Sequence, residues 1–191
     1  MIYTSLEKML FYGSYLHPTP EFKKLMDLCG KDYLTLDYSG SNETSISFKQ
    51  IADLTDLEYA LQCVSTRLDL HKLWRGYAIW CASLLKDHVT LDECKVALAA
   101  AEEFQQDIIS EAQLAEIHNI AGSANVHTNI SCLSVEGSAN YACVEASMPN
   151  VDGCILSAYQ SCRIGLDGLK VSSSEIDRML LDKFTELVSN N

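Results

Sequence analysis

The sequence predicts an all-α fold, a single-domain bundle of about eight helices. Apolar residues recur at three- and four-residue steps over most of the chain, which is the spacing of an amphipathic helix. Several of these segments follow a capping box, a serine or threonine with glutamate or glutamine three residues later. The connections between segments are short, as they are between antiparallel neighbours in a helical bundle.

The chain has 191 residues, of which 48% are hydrophobic and 21% are charged. These values are typical of one globular domain, so residues 1–191 are predicted to form a single helical domain. No apolar run approaches the roughly 18 residues that a membrane helix needs. The first residues lack the basic and apolar regions of a secretory signal. We therefore expect a cytoplasmic protein that does not enter a membrane.

The first part of the chain contains two predicted helices and one irregular segment. The first helix begins at Leu6 and ends near His17–Pro18. The second begins at Thr19–Pro20, a capping residue followed by proline at the first helical position, and ends at Gly30. Residues 32–48 break the helical spacing. They are predicted to form an irregular loop, with a small β-hairpin within residues 33–48 as the alternative.

Helical spacing resumes at residue 55 and continues to the end of the chain. Four capping boxes precede predicted helices: Thr55/Glu58, Thr90/Glu93, Ser110/Gln113 and Ser172/Glu175. The spacing of apolar residues predicts helices over 57–68, 73–84, 94–104, 114–121, 135–148, 154–164 and 176–187.

One tetrapeptide, Gly-Ser-Ala-Asn, occurs twice, starting at Gly122 and at Gly137. Glycine inside a helix costs about 1 kcal/mol relative to alanine. We therefore expect the helix faces around these two glycines to pack closely against another surface. If that surface belongs to a second copy of the chain, the protein is a helical oligomerisation module and a homodimer, which is one alternative function.

Eight cysteines are present, and none of them forms a C-x-x-C pair. A chain of this size does not need disulfides to stabilise its core. Apart from His127 and Cys132, the histidines lie far from the cysteines in sequence. Reduced cysteine behaves as a small buried hydrophobic residue. We predict reduced cysteines, no metal site and no cofactor.

No catalytic signature is found in the sequence. It contains no nucleophile elbow, phosphate-binding loop or H-E-x-x-H zinc motif, so no catalytic residue is predicted. The alternative is a hydrolase or transferase whose site combines the dispersed residues His118, His127, Cys132 and Glu136. Direct nucleic-acid binding is not expected, because the net charge is −12 and no cluster of cations is available to neutralise phosphates.

The acidic charge is concentrated in one part of the chain. Residues 96–162 contain eight carboxylates and no lysine or arginine, which makes the helical half 90–165 acidic and cation-poor. A helix N-terminus favours a carboxylate by about 0.3–1 kcal/mol, and this explains only some of these residues. We predict an anionic surface that docks a basic protein, formed by Glu102, Glu103, Asp107, Glu111 and Glu116. The alternative is a solvated face that keeps the protein soluble.

Three consecutive segments resemble a known group of proteins. They are WRGYAIWCA from Trp74, LDECKVALAAAEEF from Leu91, and the capped segment from Ile109 to Ala121. This arrangement is similar to that of alanine-rich helical proteins of phages and bacteria that are labelled immunity-like. The chain departs from their pattern in the turn, where Gln105-Gln106-Asp107 replaces the usual glycine. The group supplies no catalytic residues to transfer, and the resemblance implies a role in phage–bacterium conflict.

The sequence therefore predicts a non-enzymatic protein that binds and inhibits a partner. The expected partner is a basic, nucleic-acid-binding host or defence protein, such as a CRISPR or restriction nuclease. The expected compartment is the cytoplasm, that of the host if the gene is carried by a phage.

Overall fold

The computed structural model describes residues 1–12, 19–32, 36, 43–128 and 130–190. Its fold is all-α, as predicted, with one small two-stranded sheet. Its elements, in chain order, are β1 (Tyr3–Ser5), α1 (Leu6–Tyr12), α2 (Pro20–Leu28), β2 (Ser45–Ser47), α3 (Phe48–Leu54), α4 (Leu57–Gln62), a 3₁₀ segment (Cys63–Leu70), α5 (His71–Ser83), a short 3₁₀ turn (Lys86–His88), α6 (Asp92–Gln105), α7 (Glu111–Val126), α8 (Val135–Ala146), α9 (Val151–Gly168) and α10 (Ser173–Asn190). Within these residues, no helix is both long enough and apolar enough to cross a bilayer.

Contacts divide the chain into two compact units. Unit 1 combines residues 1–69 with residues 180–191, and unit 2 is the continuous segment 70–179. The prediction that residues 1–191 form a single domain is not tested by this division into two units. The acidic, cation-poor half of the chain, residues 90–165, lies entirely within unit 2.

Unit 1 is organised around a two-stranded antiparallel sheet. Strand β1 pairs with β2 in the register Tyr3–Ser47 and Ser5–Ser45. The Ile2 N–H donates to the Val188 carbonyl of α10 at 2.8 Å, which ties the strand to the last helix. Strand β2 lies within residues 33–48, where a hairpin was the alternative to a loop. However, β2 pairs with residues 3–5 and not with a strand of the same segment. The other predicted strand, 33–38, falls mostly outside the described residues.

Helix boundaries in unit 1 follow the local sequence. The Thr19 hydroxyl accepts from the Phe22 N–H, Pro20 occupies the first helical position, and Gly30 ends the helix with a φ of +62°, as predicted. Helix α3 was not predicted, although Ser47 and Gln50 form a complete capping box at its start. The helix predicted over 57–68 is wrong in extent, because α4 ends at Gln62 and a 3₁₀ segment follows.

Helix α8 is the central element of unit 2. It contacts α5, α6, α7, α9 and the 3₁₀ turn at Lys86–His88, and eight of its twelve residues are buried. Those buried residues are small or medium in size: Gly137, Ser138, Ala139, Asn140, Ala142, Cys143, Val144 and Ala146. Their small side chains let five neighbouring elements approach one helix, which explains why this segment is rich in glycine, alanine and serine.

Asn140 of α8 caps the start of α6 from a distance of 50 residues in sequence. Its side-chain oxygen accepts from the Thr90 N–H at 3.1 Å and the Leu91 N–H at 3.4 Å, and its amide donates to the Thr90 hydroxyl at 3.1 Å. Helix α6 has no capping bond from its own N-cap residue, Leu91. The capping box predicted at Thr90/Glu93 is therefore wrong, and Asn140 satisfies these backbone amides instead.

We expect Asn140→Ala to destabilise the protein by about 1–2 kcal/mol, because the amides at the start of α6 lose their acceptor. Urea unfolding followed by circular dichroism measures the change. Asn119→Ala is the matched control, since Asn119 is exposed on α7 and its replacement should change the stability by no more than about 0.5 kcal/mol. Equal losses in the two variants would contradict the capping role.

Candidate functional site

The five predicted partner-binding residues lie on one helical hairpin, formed by α6, the turn at residues 106–110, and α7. Glu102 and Glu103 are at the end of α6, Asp107 is in the turn, and Glu111 and Glu116 are on α7. All five side chains are exposed. We call these five carboxylates the acidic surface.

The acidic surface is largely without counter-charges. Asp107 pairs with Lys72 of α5, whose Nζ lies 2.6 Å from Oδ1. The two side chains are 77% and 44% exposed, so this ion pair contributes at most about 1 kcal/mol. In the part of the chain that the structure describes, the other four carboxylates belong to no ion pair.

The turn places Asp107 in a conformation that glycine usually adopts. Its φ is +59°, and the Ile108 N–H donates to the Glu103 carbonyl at 2.9 Å while the Asp107 N–H donates to the Phe104 carbonyl at 3.1 Å. This pair of bonds is the Schellman arrangement, which normally has glycine at the left-handed position, as Gly30 is after α2. Aspartate tolerates this conformation less well than glycine does.

Two further carboxylates occupy positions that the helix itself disfavours. Glu102 and Glu103 lie at the carboxyl end of α6, where the helix dipole is negative and the last turn contains no basic residue. Glu111 differs, because it lies in the first turn of α7, where the dipole favours a negative charge. Helix stability therefore explains Glu111 but not Glu102, Glu103 or Asp107.

The tip of the hairpin also exposes an apolar side chain. Ile108 follows Asp107 in the turn and is 65% exposed. Most large apolar side chains of unit 2 are buried, so this position offers apolar contact area directly beside the carboxylates.

Arg75 of α5 joins α6 to the end of α8 beneath this surface. The residue is 1% exposed. Its guanidinium lies 5.0 Å from the centre of the Phe104 ring and donates to the carbonyls of Ala146, Met148 and Pro149 at 2.9–3.1 Å. Burial lowers the pKa of Arg75, an effect that the neighbouring Cys154 and Glu111 oppose. The group stays charged at neutral pH and neutralises the negative end of α8.

The structure separates two residues of the alternative enzyme site, His118 and Glu136. His118 bonds through Nδ1 to the Val144 carbonyl at 3.0 Å, near the carboxyl end of α8. Glu136 lies in the first turn of the same helix. Glu136 and Val144 are eight residues apart on α8, which corresponds to a rise of about 12 Å. Because His118 is bonded to Val144, His118 and Glu136 cannot act on one substrate atom. Cys132 and Glu136 are both exposed, and Nδ1 of His127 bonds to the Ser123 carbonyl.

The two repeated glycines face their own chain. A Cβ atom on Gly137 would lie 2.0 Å from the Ser131 carbonyl oxygen, and one on Gly122 would meet Val144 at 3.8 Å. The close packing expected at Gly137 is therefore within unit 2, and Gly137 offers no free face to a second copy. Among the described residues, no group of three histidine, cysteine or acidic side chains is placed to hold a metal ion.

Two residues that organise this region were not identified from the sequence. Arg75 lies between Trp74 and a largely apolar stretch. A charged residue within an apolar helix face is a signal that could have predicted a buried, hydrogen-bonded arginine. Asn140 had no such signal, because its partners lie 50 residues earlier in the chain.

Comparison of the chain with models of protein families, with curated proteins and with solved structures finds no match. The interpretation of the acidic surface therefore depends on its geometry and charge.

Proposed function

We propose that the protein is a non-enzymatic inhibitor that binds a basic protein through the acidic surface. The observation that carries this proposal is that four of the five carboxylates have no ion-pair partner within the described residues. Uncompensated charge on one exposed hairpin attracts a positively charged surface over a distance of about one Debye length, roughly 8–10 Å at physiological salt.

The local energetics support the same interpretation. Three of the five carboxylates occupy positions where the helix dipole or the left-handed turn disfavours them. Residues that are locally unfavourable without a structural compensation are expected at functional sites. Ile108 complements them, because an exposed apolar side chain beside Asp107 supplies contact area while the charges increase the rate of association.

The partner that fits this chemistry is a nucleic-acid-binding protein. Its groove carries the lysine and arginine side chains that otherwise contact phosphates, and an acidic hairpin competes for them. The resemblance to immunity-like phage and bacterial proteins favours a nuclease of bacterial defence, of the CRISPR or restriction type. Such an inhibitor acts in the cytoplasm of the host cell.

The test removes the charges that helix stability does not explain. The triple variant Glu102→Gln, Glu103→Gln, Asp107→Asn should weaken binding to a guide-loaded CRISPR nuclease or a restriction nuclease about tenfold to a hundredfold at low salt. It should also flatten the dependence of log Kd on log salt. Biolayer interferometry at several salt concentrations measures the binding, and inhibition of DNA cleavage measures the function.

The control variant removes three charges elsewhere in unit 2. Asp87→Asn, Glu93→Gln and Glu175→Gln change exposed carboxylates by the same total charge, outside the acidic surface. Retained binding by the control and weakened binding by the test variant support the proposal. Equal affinity of both variants, or inhibition that does not depend on salt, would show that this surface is only solvated.

A further inference from the structure

Helices α5 and α9 meet through small residues. Ala78, Cys81 and Ala82 of α5 are fully buried, and so are Ala158 and Cys162 of α9. One turn further along α9, a Cβ atom on Gly165 would lie 2.4 Å from a methyl group of Leu85. These residues recur at three- and four-residue steps on both helices, so each set forms one face and the two backbones approach closely.

At this interface two thiols are neighbours. Cys81 of α5 and Cys162 of α9 are close enough to interact, both residues are 0% exposed, and both are free cysteines. A disulfide needs Cα atoms about 4.4–6.8 Å apart, and small residues on both helix faces are compatible with such a close approach. A pair of cysteines in contact across two helices is a more specific feature than a high cysteine count.

We propose that Cys81 and Cys162 are a latent disulfide pair, which hydrogen peroxide oxidises when unit 2 opens transiently and which then links α5 to α9. One thiol sulfur attacks peroxide, the O–O bond breaks, and a sulfenic acid and one water form. The second thiol displaces the hydroxyl, so that the S–O bond breaks, the S–S bond forms and a second water leaves. In total, two thiols lose two hydrogens and one peroxide becomes two waters.

Burial sets the rate of this reaction. It raises the pKa of the Cys81 thiol well above its ordinary value, so the reactive thiolate is scarce while the helices stay packed. Oxidation is therefore expected to be slow in the native protein and faster where opening is more frequent. The reduced state persists in a reducing compartment, and the cross-link forms under sustained oxidative stress.

The disulfide encloses the proposed binding hairpin. The segment between Cys81 and Cys162 contains α6, α7 and α8, and with them the whole acidic surface. Closing this large loop restricts the unfolded chain, so the oxidised protein should be more stable while its surface stays unchanged. The inference does not depend on the identity of the partner.

The experiment treats reduced, full-length protein with hydrogen peroxide, in buffer and in urea below the unfolding midpoint. Remaining thiols are then blocked with iodoacetamide, and peptides are mapped by mass spectrometry without reduction. Trypsin isolates Cys81 in the peptide 76–86 but leaves Cys132, Cys143, Cys154 and Cys162 in one peptide, since residues 96–162 contain no lysine or arginine. Additional cleavage by chymotrypsin after Tyr159 separates Cys162 from the other three.

The expected result is a linked Cys81–Cys162 peptide that forms faster in urea, with a rise in Tm of roughly 5–15 °C. The variant Cys162→Ala should lose both the linked peptide and the rise in Tm, and Cys132→Ala, which changes an exposed cysteine, should keep both. Oxidation of Cys81 to sulfinic acid, linkage of Cys81 to another cysteine, or unfolding without this cross-link would overturn the inference.

Discussion

Gly137→Ala should destabilise the protein by at least about 3 kcal/mol, the upper end of what overpacking usually costs. The new Cβ atom would lie 2.0 Å from the Ser131 carbonyl oxygen and 2.7 Å from its carbonyl carbon. Backbone atoms cannot rotate away as a flexible side chain can. That oxygen also accepts from the N–H and the hydroxyl of Ser134, both at 2.9 Å, so moving it breaks the bonds that start α8.

The repeated tetrapeptide supplies the matched control for this substitution. Gly122 occupies the same position in the same four residues, but its nearest neighbour would be a methyl group of Val144 at 3.8 Å, an ordinary contact. Gly122→Ala should therefore stabilise helix α7 by up to about 1 kcal/mol. Urea unfolding of both variants measures the two changes. Changes of the same sign would contradict the packing described for α8.

Arg75→Met is expected to destabilise the protein by about 3–5 kcal/mol, because three carbonyls at the end of α8 lose a charged donor. Methionine preserves much of the side-chain length, so most of the loss should come from the missing hydrogen bonds. Arg75→Lys should recover part of it, since an ammonium group has the charge but not the planar fork of donors.

The same replacement on the surface is the control for Arg75. Lys95→Met removes a cation that is paired with Asp92 at 2.8 Å, with side chains 54% and 90% exposed. Its effect on stability should be much smaller than that of Arg75→Met, because both partners are solvated. Thermal and urea unfolding measure both variants. A loss at Arg75 no larger than at Lys95 would show that the buried bonds contribute little.

The helical class and most helix positions were predictable from the sequence. Capping residues and apolar spacing act within one helix, so the sequence predicts the helix ends at Thr19, Gly30 and the Ser110/Gln113 box, and the structure confirms them. The signal was wrong at Thr55/Glu58, because the adjacent Asp56 caps α4 instead. It also failed where a helix end depends on another element. At Thr90 the hydroxyl that looked like a local cap accepts a bond from Asn140 of α8 instead.

The acidic surface was predictable in composition but not in its energetics. The absence of lysine and arginine from residues 96–162 indicated the charge, and the break at Ser110 indicated a hairpin. The left-handed conformation of Asp107 and its pairing with Lys72 could not be predicted from the sequence. They depend on how the turn closes and on which helix lies beside it. That the surface binds a partner stays a prediction.

The division into units has a consequence for how the chain matures during synthesis. Unit 2 is one uninterrupted stretch, and its long-range bonds, such as Asn140 to Thr90, can all form once residue 179 has left the ribosome. Unit 1 joins its first strand to residues near 188, and must wait for them. The hairpin of unit 2 can therefore be complete while the first strand of unit 1 is still without its partner residues.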